Sequence, residues 1–341
     1  MIDNGKGASV DFMDAFCVSM ERNFSTALDG VRAVAVGVSG GADSMALCFA
    51  MAEYFAGRGV VIHAITVDHG LRAEAADEAQ HVARSLSALP NVVHHILQWD
   101  HGGKPIARVQ ELARKARYDL MREFMAEHLI VHLFLGHHLD DQAETFLFRL
   151  AKGSGLDGLA CMPFVQDMGA GFFLCRPMIE IPKSNMVGYC AEHGIEYVND
   201  PSNNDEAYAR VRLRGSMDVL AREGLTAKRL GVSARRIGRA RLALDEIAAQ
   251  EFDGAVIYKK SKRVVFNFKL LILLHEEVFL RVILRAINGF CVGRDYAVRM
   301  EKAERLCYDL IHEKPFRKQT LGGVIFEVDP KAGQLILTAE E

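Results

Sequence analysis

The sequence predicts an α/β fold, a doubly wound parallel sheet followed by a second, mainly helical C-terminal domain. Three observations predict it. Up to about residue 200, short Val-, Ala- and Ile-rich runs alternate with helical stretches, the texture of right-handed βαβ units. The first run ends in a glycine loop, SGGADS (Ser39–Ser44), that leads straight into a helix. After about Asn204 the alternation stops and basic helical sequence takes over.

The elements follow in order. Residues 11–24 have helical apolar spacing, and 31–38 read as a buried strand of Val and Ala. A helix is expected over 43–55, a strand over 60–67, a helix over 73–88 and a strand over 91–97. Pro105 opens a long helical stretch to about His128, as proline suits a helix start. Strand 131–135 and helix 139–152 complete the alternation. A short strand at 172–174 and a helix at 183–193 come before the turn NDPSNND. Residues 241–310 read as mostly helical, interrupted by a hairpin around 259–268. The tail from 320 to 337 reads as short strands, with Gly322, Gly323 and Pro330 as turns. This divides the chain into a helical extension (1–24), a nucleotide domain (25–218) and a C-terminal domain (219–341).

Composition narrows the classes. The chain has 341 residues, 50% hydrophobic and 25% charged, ordinary for a globular protein of two domains. No apolar run is long enough to span a bilayer, and Asp3, Asp11 and Asp14 stand where a signal peptide would be basic. The seven cysteines form no Cys-x-x-Cys pair, which predicts reduced thiols in a cytoplasmic protein. Net charge is −3, so any nucleic-acid partner must be held by local basic patches.

The loop SGGADS sits where a doubly wound sheet binds ligands, beyond the carboxyl ends of its strands. Gly40 and Gly41 let the backbone approach phosphate oxygens, and the amides opening the helix favour an anion. Ser39 and Ser44 bring hydroxyls. No lysine ends the loop. Asp43 stands in its place, and an acid beside phosphates points to a bridging Mg²⁺. A helix cap is the plainer role for Asp43 or Ser44. Val67, Asp68 and His69 end the second strand, and Gly136 and His137 end the fourth, all on the same sheet edge as Gly40. In GHHLDDQAET, Glu144 shares a helical face with Asp140 and with Asp141. These carboxylates suit Mg²⁺ or a cationic substrate, or simply the dipole of their helix. The pair His137–His138 lacks further correctly spaced ligands, which favours positioning or structural roles.

Taken together, SGGADS, VDHGLR, ELARKARY, GHHLDDQAET, KGSGLDGLACM, RPM and DPSN resemble the Rossmann-like N-type ATP pyrophosphatases of the PP-loop family, in particular the bacterial tRNA(Ile)-lysidine synthases. The likeness spans roughly residues 30–215. It implies an ATP-dependent ligase. O2 of the wobble cytidine in tRNA(Ile) with anticodon CAU is adenylated. The ε-amine of L-lysine then attacks C2, releasing AMP and leaving lysidine. The implied ATP contacts are Ser39, Gly40, Gly41, Ala42, Asp43, Ser44, Val67, Asp68, His69, Gly136 and His137. Asp43 and Asp140 are the implied Mg²⁺ ligands. Asp43, Arg114, Asp140, Asp141 and Glu144 are the implied catalytic set, with Arg117 sharing the α-phosphate or cytidine with Arg114.

Cleavage at the α-phosphate explains the missing lysine, since a kinase-type lysine serves γ-transfer whereas here β and γ leave together. The second step needs a neutral amine, and well under about one per cent of free lysine is neutral at pH 7. Asp140, Asp141 and Glu144 are its candidate partners. The family's Arg-Asn-x-x-Arg segment is met by Arg210 and Arg214, but Val211 replaces the asparagine. The chain resembles a short form of the family. Arg210, Arg214, Arg235, Arg236 and Arg239 belong to a basic segment poor in acids, expected to bind tRNA. A solvated helix face is the alternative. A homodimer is open, and no membrane partner is expected. The rival function is a tRNA thiolation enzyme of the same family, for which paired cysteines are missing.

Overall fold

The computed structural model describes residues 11–70, 75–101, 109–198, 209–290 and 298–340. Leu71 and Arg72 of VDHGLR, all of DPSN, and the side chains of Arg210 and Val211 lie outside the described residues. The chain divides into two compact units, 1–238 and 239–341. The division falls beyond the boundary placed from sequence at 218/219.

The first unit opens with α1 (Phe12–Phe24), capped by Asp11, whose Oδ1 accepts the Met13 amide at 3.2 Å. Phe12, Phe16, Met20 and Phe24 recur every four residues and are buried, so α1 seals one face of the core. Truncating Phe16 to alanine is expected to cost about 3–5 kcal/mol. Next come β1 (Ala33–Gly37), α2 (Ala42–Tyr54), β2 (Val61–Asp68), α3 (Ala75–Leu86), β3 (Val92–Gln98), α4 (Val109–Glu127), β4 (His132–Phe134), α5 (Leu139–Ala151), α6 (Leu156–Leu159), β5 (Val165–Asp167), β6 (Phe173–Cys175) and α7 (Lys183–Glu192). Helix α2 is apolar nearly all round, as its place between the sheet, α1 and α7 requires.

The strands form one sheet of order β3-β2-β1-β4-β6-β5. All pairings are parallel except β5 with β6. From β1 the chain moves out through β2 and β3, then returns to place β4 on the other side of β1. That reversal opens a crevice beyond the carboxyl ends of β1 and β4. Helix α8 (Ala209–Arg222) follows, and Leu213, Met217 and Leu220 on it pack on Ala143, Phe146 and Leu147 of α5. Helix α9 (Ala227–Ala255) runs from the first unit into the second.

The second unit corrects the expectation of a mainly helical domain. It holds β7 (Val256–Lys260), β8 (Arg263–Asn267), α10 (Phe268–Leu271), α11 (Glu276–Phe290), α12 (Met300–His312), β9 (Gln319–Leu321), β10 (Val324–Asp329) and β11 (Gln334–Ala339). The strands make a five-stranded antiparallel sheet, β7-β8-β11-β10-β9. The hairpin and the tail strands were each legible, but β8 pairs with β11 about seventy residues away. Local periodicity carries no information about such a partner. Among the described residues, no helix is long and apolar enough to cross a membrane.

Candidate active site

Residues 38–44 turn from β1 into α2 around Gly40, whose φ of +85° is left-handed and suited to glycine. The Gly40 carbonyl accepts the Val198 amide at 2.9 Å, and a Cβ at Gly40 would meet Val82 at 3.2 Å. Ser44 is buried and works within the turn. Its Oγ accepts the Ser39 amide at 3.1 Å and donates to the Gly41 carbonyl at 3.0 Å. Ser39 is exposed, and its hydroxyl lies 3.3 Å from Ser44 Oγ with its outer side open to a ligand. Gly41 is the N-cap of α2, and the first amides of that helix have no intrahelical acceptor.

A cavity of about 420 Å³ opens at this sheet edge. Ser39, Gly41, Asp43 and Ser44 form one wall, and Val67, Asp68 and His69 at the end of β2 form another. Gly136 and His137 come from the end of β4, and Arg114 and Arg117 from α4. Gly40 and Ala42 are buried behind this wall. Position 136 has no room for a side chain, because a Cβ there would lie 2.9 Å from the Asp43 carbonyl oxygen. Asp68 shapes its own turn, Oδ1 accepting the Gly70 amide at 2.9 Å. Arg117 donates from Nη2 to His69 Nε2 at 3.0 Å, and Arg114 lies over the Tyr118 ring. Thr66, Glu78, Val82 and Met121 also line the cavity and were not singled out from sequence. The α3 residues Glu78 and Val82 share a helical face, which is the signal that could have found them.

The acidic residues of α5 lie outside the cavity lining, in a cluster built on His138. This imidazole is almost fully buried and is the N-cap of α5. Its Nε2 lies 3.5 Å from Asp43 Oδ2 and 3.5 Å from Asp141 Oδ2, and its Nδ1 lies 3.6 Å from Asp140 Oδ2. Asp141 closes a capping box by accepting the His138 amide at 3.0 Å. Burial alone would lower the His138 pKa, but Asp43, Asp141 and Asp140 outweigh it and raise it. Burial would raise Asp43, yet His138 and Lys183 hold it below the usual carboxylate value. Burial does raise Asp141, against the pull of His138.

Asp140 accepts the Lys183 amide at 2.9 Å and so secures the start of α7. Lys183 Nζ lies 3.3 Å from Asp43 Oδ2. Glu144 is 4% exposed, and both its oxygens are held by Arg214, Nε to Oε1 at 2.7 Å and Nη2 to Oε2 at 3.2 Å. Arg214, expected on a tRNA-binding face, therefore meets Glu144, a carboxylate expected in the catalytic set. Arg235 pairs with Glu180 at 3.0 Å, while Arg236 and Arg239 are exposed on α9. Nothing in the sequence pattern assigns the roles of His138 and Lys183.

The donor set bears on Mg²⁺. Asp43 Oδ1 is buried without a hydrogen-bond partner, an oxygen suited to a hard cation. Among the described residues, no group of three or more His, Cys, Asp or Glu could hold a metal ion. An ion at Asp43 would take most of its ligands from phosphate and water, the usual arrangement for Mg²⁺ with a nucleotide.

With this geometry in view, residues 17–219 match the family model described as a PP-loop domain. The chain is 40% identical over 312 residues to a tRNA(Ile)-lysidine synthase from Methylobacterium nodulans, covering 90% of each chain. It is 36% identical over 345 residues to one from a Bradyrhizobium species, covering 94% of this chain and 93% of that one. Among solved structures, the U34-tRNA thiolase NcsA from Methanococcus maripaludis matches with a TM-score of 0.57. The match covers 68% of this chain and 79% of that one at 18% identity, a likeness of fold alone. A PP-loop domain over more than half its length, and relatives this similar end to end, mean that the chain belongs to the PP-loop family and, within it, to the tRNA(Ile)-lysidine synthases.

Proposed function

We propose that this chain ligates lysine to C2 of the wobble cytidine of tRNA(Ile) bearing the anticodon CAU. In the first step the cytidine O2 attacks the α-phosphate of ATP, and pyrophosphate leaves. In the second, the neutral ε-amine of L-lysine attacks C2, and O2 departs with AMP. The observation that carries the reading is the convergence of Ser39–Ser44, Asp68–His69, Arg114, Arg117 and Gly136–His137 on one cavity at the switch point of the sheet. The lysidine synthases at 36–40% identity supply the chemistry the cavity serves.

The amides opening α2 and the Ser39 hydroxyl grip the β- and γ-phosphates. Arg114 and Arg117, a turn apart on the facing wall, meet the α-phosphate and the cytidine. Asp43, with Asp140 near the other side of His138, would hold Mg²⁺, which supplies charge neutralisation where pyrophosphate leaves. Asp141, with Oδ2 3.5 Å from His138 Nε2, is the candidate acceptor for the ammonium proton. Glu144, clamped by Arg214, fixes the acidic wall that receives the lysine. Arg236 and Arg239 have exposed guanidinium groups for tRNA phosphates, with Arg235, Arg214 and Arg210 nearby in sequence. The enzyme would work in the cytoplasm.

Thiolation is disfavoured by the placement of the thiols. Among the described residues no cysteine lines the cavity, and Cys48, Cys161, Cys175 and Cys190 are buried, where packing keeps them from substrate. The test is to incubate tRNA(Ile), lysine and α-labelled ATP with the protein and digest the tRNA for nucleoside mass spectrometry. Lysidine with AMP is expected. A thiolated base, or ADP as the main nucleotide product, would refute the reading.

A further inference from the structure

The phosphate loop has an acid where related loops carry a lysine, yet a lysine does reach it. Lys183 is the first residue of α7, and Nζ lies 3.3 Å from Asp43 Oδ2. The placement follows from packing. Helix α7 lies against α2, with Met186, Tyr189 and Cys190 buried, and Asp140 ties its first amide at 2.9 Å. The start of α7 is thereby held close to the start of α2.

As a stabilising contact the arrangement has little to recommend it. The Lys183 side chain is 45% exposed, and exposed ion pairs contribute little. A cation in the first turn of a helix also opposes the helix dipole, and the first turn of α7 holds no acid to offset it. Asp43 meanwhile offers a second oxygen, Oδ1, with no hydrogen-bond partner. Entry of nucleotide with Mg²⁺ changes the balance at Asp43. A divalent ion held by that carboxylate would repel the ammonium, and phosphate oxygens would offer it an alternative acceptor. A long, half-exposed lysine can make that exchange by rotamer changes alone.

We propose that Lys183 is the phosphate-binding lysine absent from the loop. It pairs with Asp43 in this structure and passes to the β- and γ-phosphate oxygens when ATP binds with Mg²⁺. The inference rests on the ATP-binding reading and adds a specific leaving-group contact to it. Lys183 neutralises the pyrophosphate as it departs and returns to Asp43 when the site empties.

The chain's one tryptophan, Trp99, stacks edge-on against His69 in the cavity wall, with centroids 6.0 Å apart, and reports binding by its fluorescence. Wild type, Lys183→Ala and Lys183→Arg are titrated with ATP, pyrophosphate and AMP, each with Mg²⁺. Lys183→Ala is expected to weaken ATP and pyrophosphate about 10- to 100-fold, the size of a lost charge-assisted hydrogen bond. AMP affinity should stay at the wild-type value, which also certifies the fold, and Lys183→Arg should recover most of the loss. Unchanged or tighter ATP binding by Lys183→Ala would overturn the inference and leave Lys183 as a mere counter-ion of Asp43. An equal loss for AMP and ATP would overturn it too. A wild-type chain that binds no ATP would overturn the nucleotide reading itself.

Discussion

Breaking the Glu144–Arg214 pair from either side should have unequal effects. Arg214→Ala leaves a carboxylate that is 4% exposed without its two hydrogen bonds. Breaking a fully buried pair costs about 3–5 kcal/mol. The Arg214 side chain is 46% exposed, so water moderates the loss, and about 1–3 kcal/mol is the discounted expectation. Glu144→Gln leaves the half-exposed guanidinium free to rehydrate, and the amide oxygen still accepts, so about 0–1 kcal/mol is expected. In a unit of this size each kcal/mol moves Tm by roughly 2–4 °C. Thermal and urea unfolding followed by circular dichroism reads the difference directly. Single-turnover kinetics on the same variants should show the lysine-dependent step slowed more than adenylation. Glu144→Gln destabilising the unit as much as Arg214→Ala would refute the asymmetry argument. Loss of adenylation alone would move Glu144 to the nucleotide side of the site.

Asp43→Asn should abolish AMP release at saturating Mg²⁺ while Tm changes by no more than a few degrees, and full activity would return Asp43 to a structural role. Replacing Arg236 and Arg239 by Ala should weaken tRNA binding and flatten its salt dependence, by about 0.7–0.9 in log–log slope for each phosphate no longer neutralised, with ATP affinity unchanged. Wild-type binding and slope in a filter assay would exclude that face. His63 and His95 share a hydrogen bond at 3.1 Å beside His128. Burial and the neighbouring imidazoles hold both below the ordinary histidine value. The unfolded chain then binds more protons, so their contribution is full above about pH 6.5 and is lost as pH falls through the depressed folded values. His63→Gln with His95→Gln should flatten the fall of stability between about pH 7 and 5, and an unaltered profile would show that the pair does not set it.

The sheet was legible because β1 and β2 are apolar runs carrying Val and Ile, β4 is a short buried run, and each is followed by an amphipathic or apolar helix. The cradle was legible because Gly40, Gly41 and Gly136 stand at strand ends, where only backbone can approach a ligand. Strand β5 has three residues, with too little pattern to register. The tandem His137–His138 gives no hint which ring is buried. That depends on the turn before α5, which sends one to the cavity and the other beneath it. Lys183 meets Asp43 across 140 residues, and Arg214 meets Glu144 across 70. Both contacts come from helix packing, α7 on α2 and α8 on α5, and no spacing rule along the chain encodes them.

The contact between Gly136 and Asp43 has a consequence for anyone redesigning this enzyme. With a Cβ excluded at 2.9 Å from a main-chain oxygen, the two strand-end turns are seated backbone on backbone. Their relative position is therefore indifferent to most side chains and intolerant of any change at that one residue. Altered nucleotide preference is better sought on the opposite wall, at Glu78, Val82 and Met121, where side chains rather than main chain define the contour. Val82 also packs against Gly40 and Met121 lies against Gly37, so replacements at these two must keep their volume to leave the turn in place.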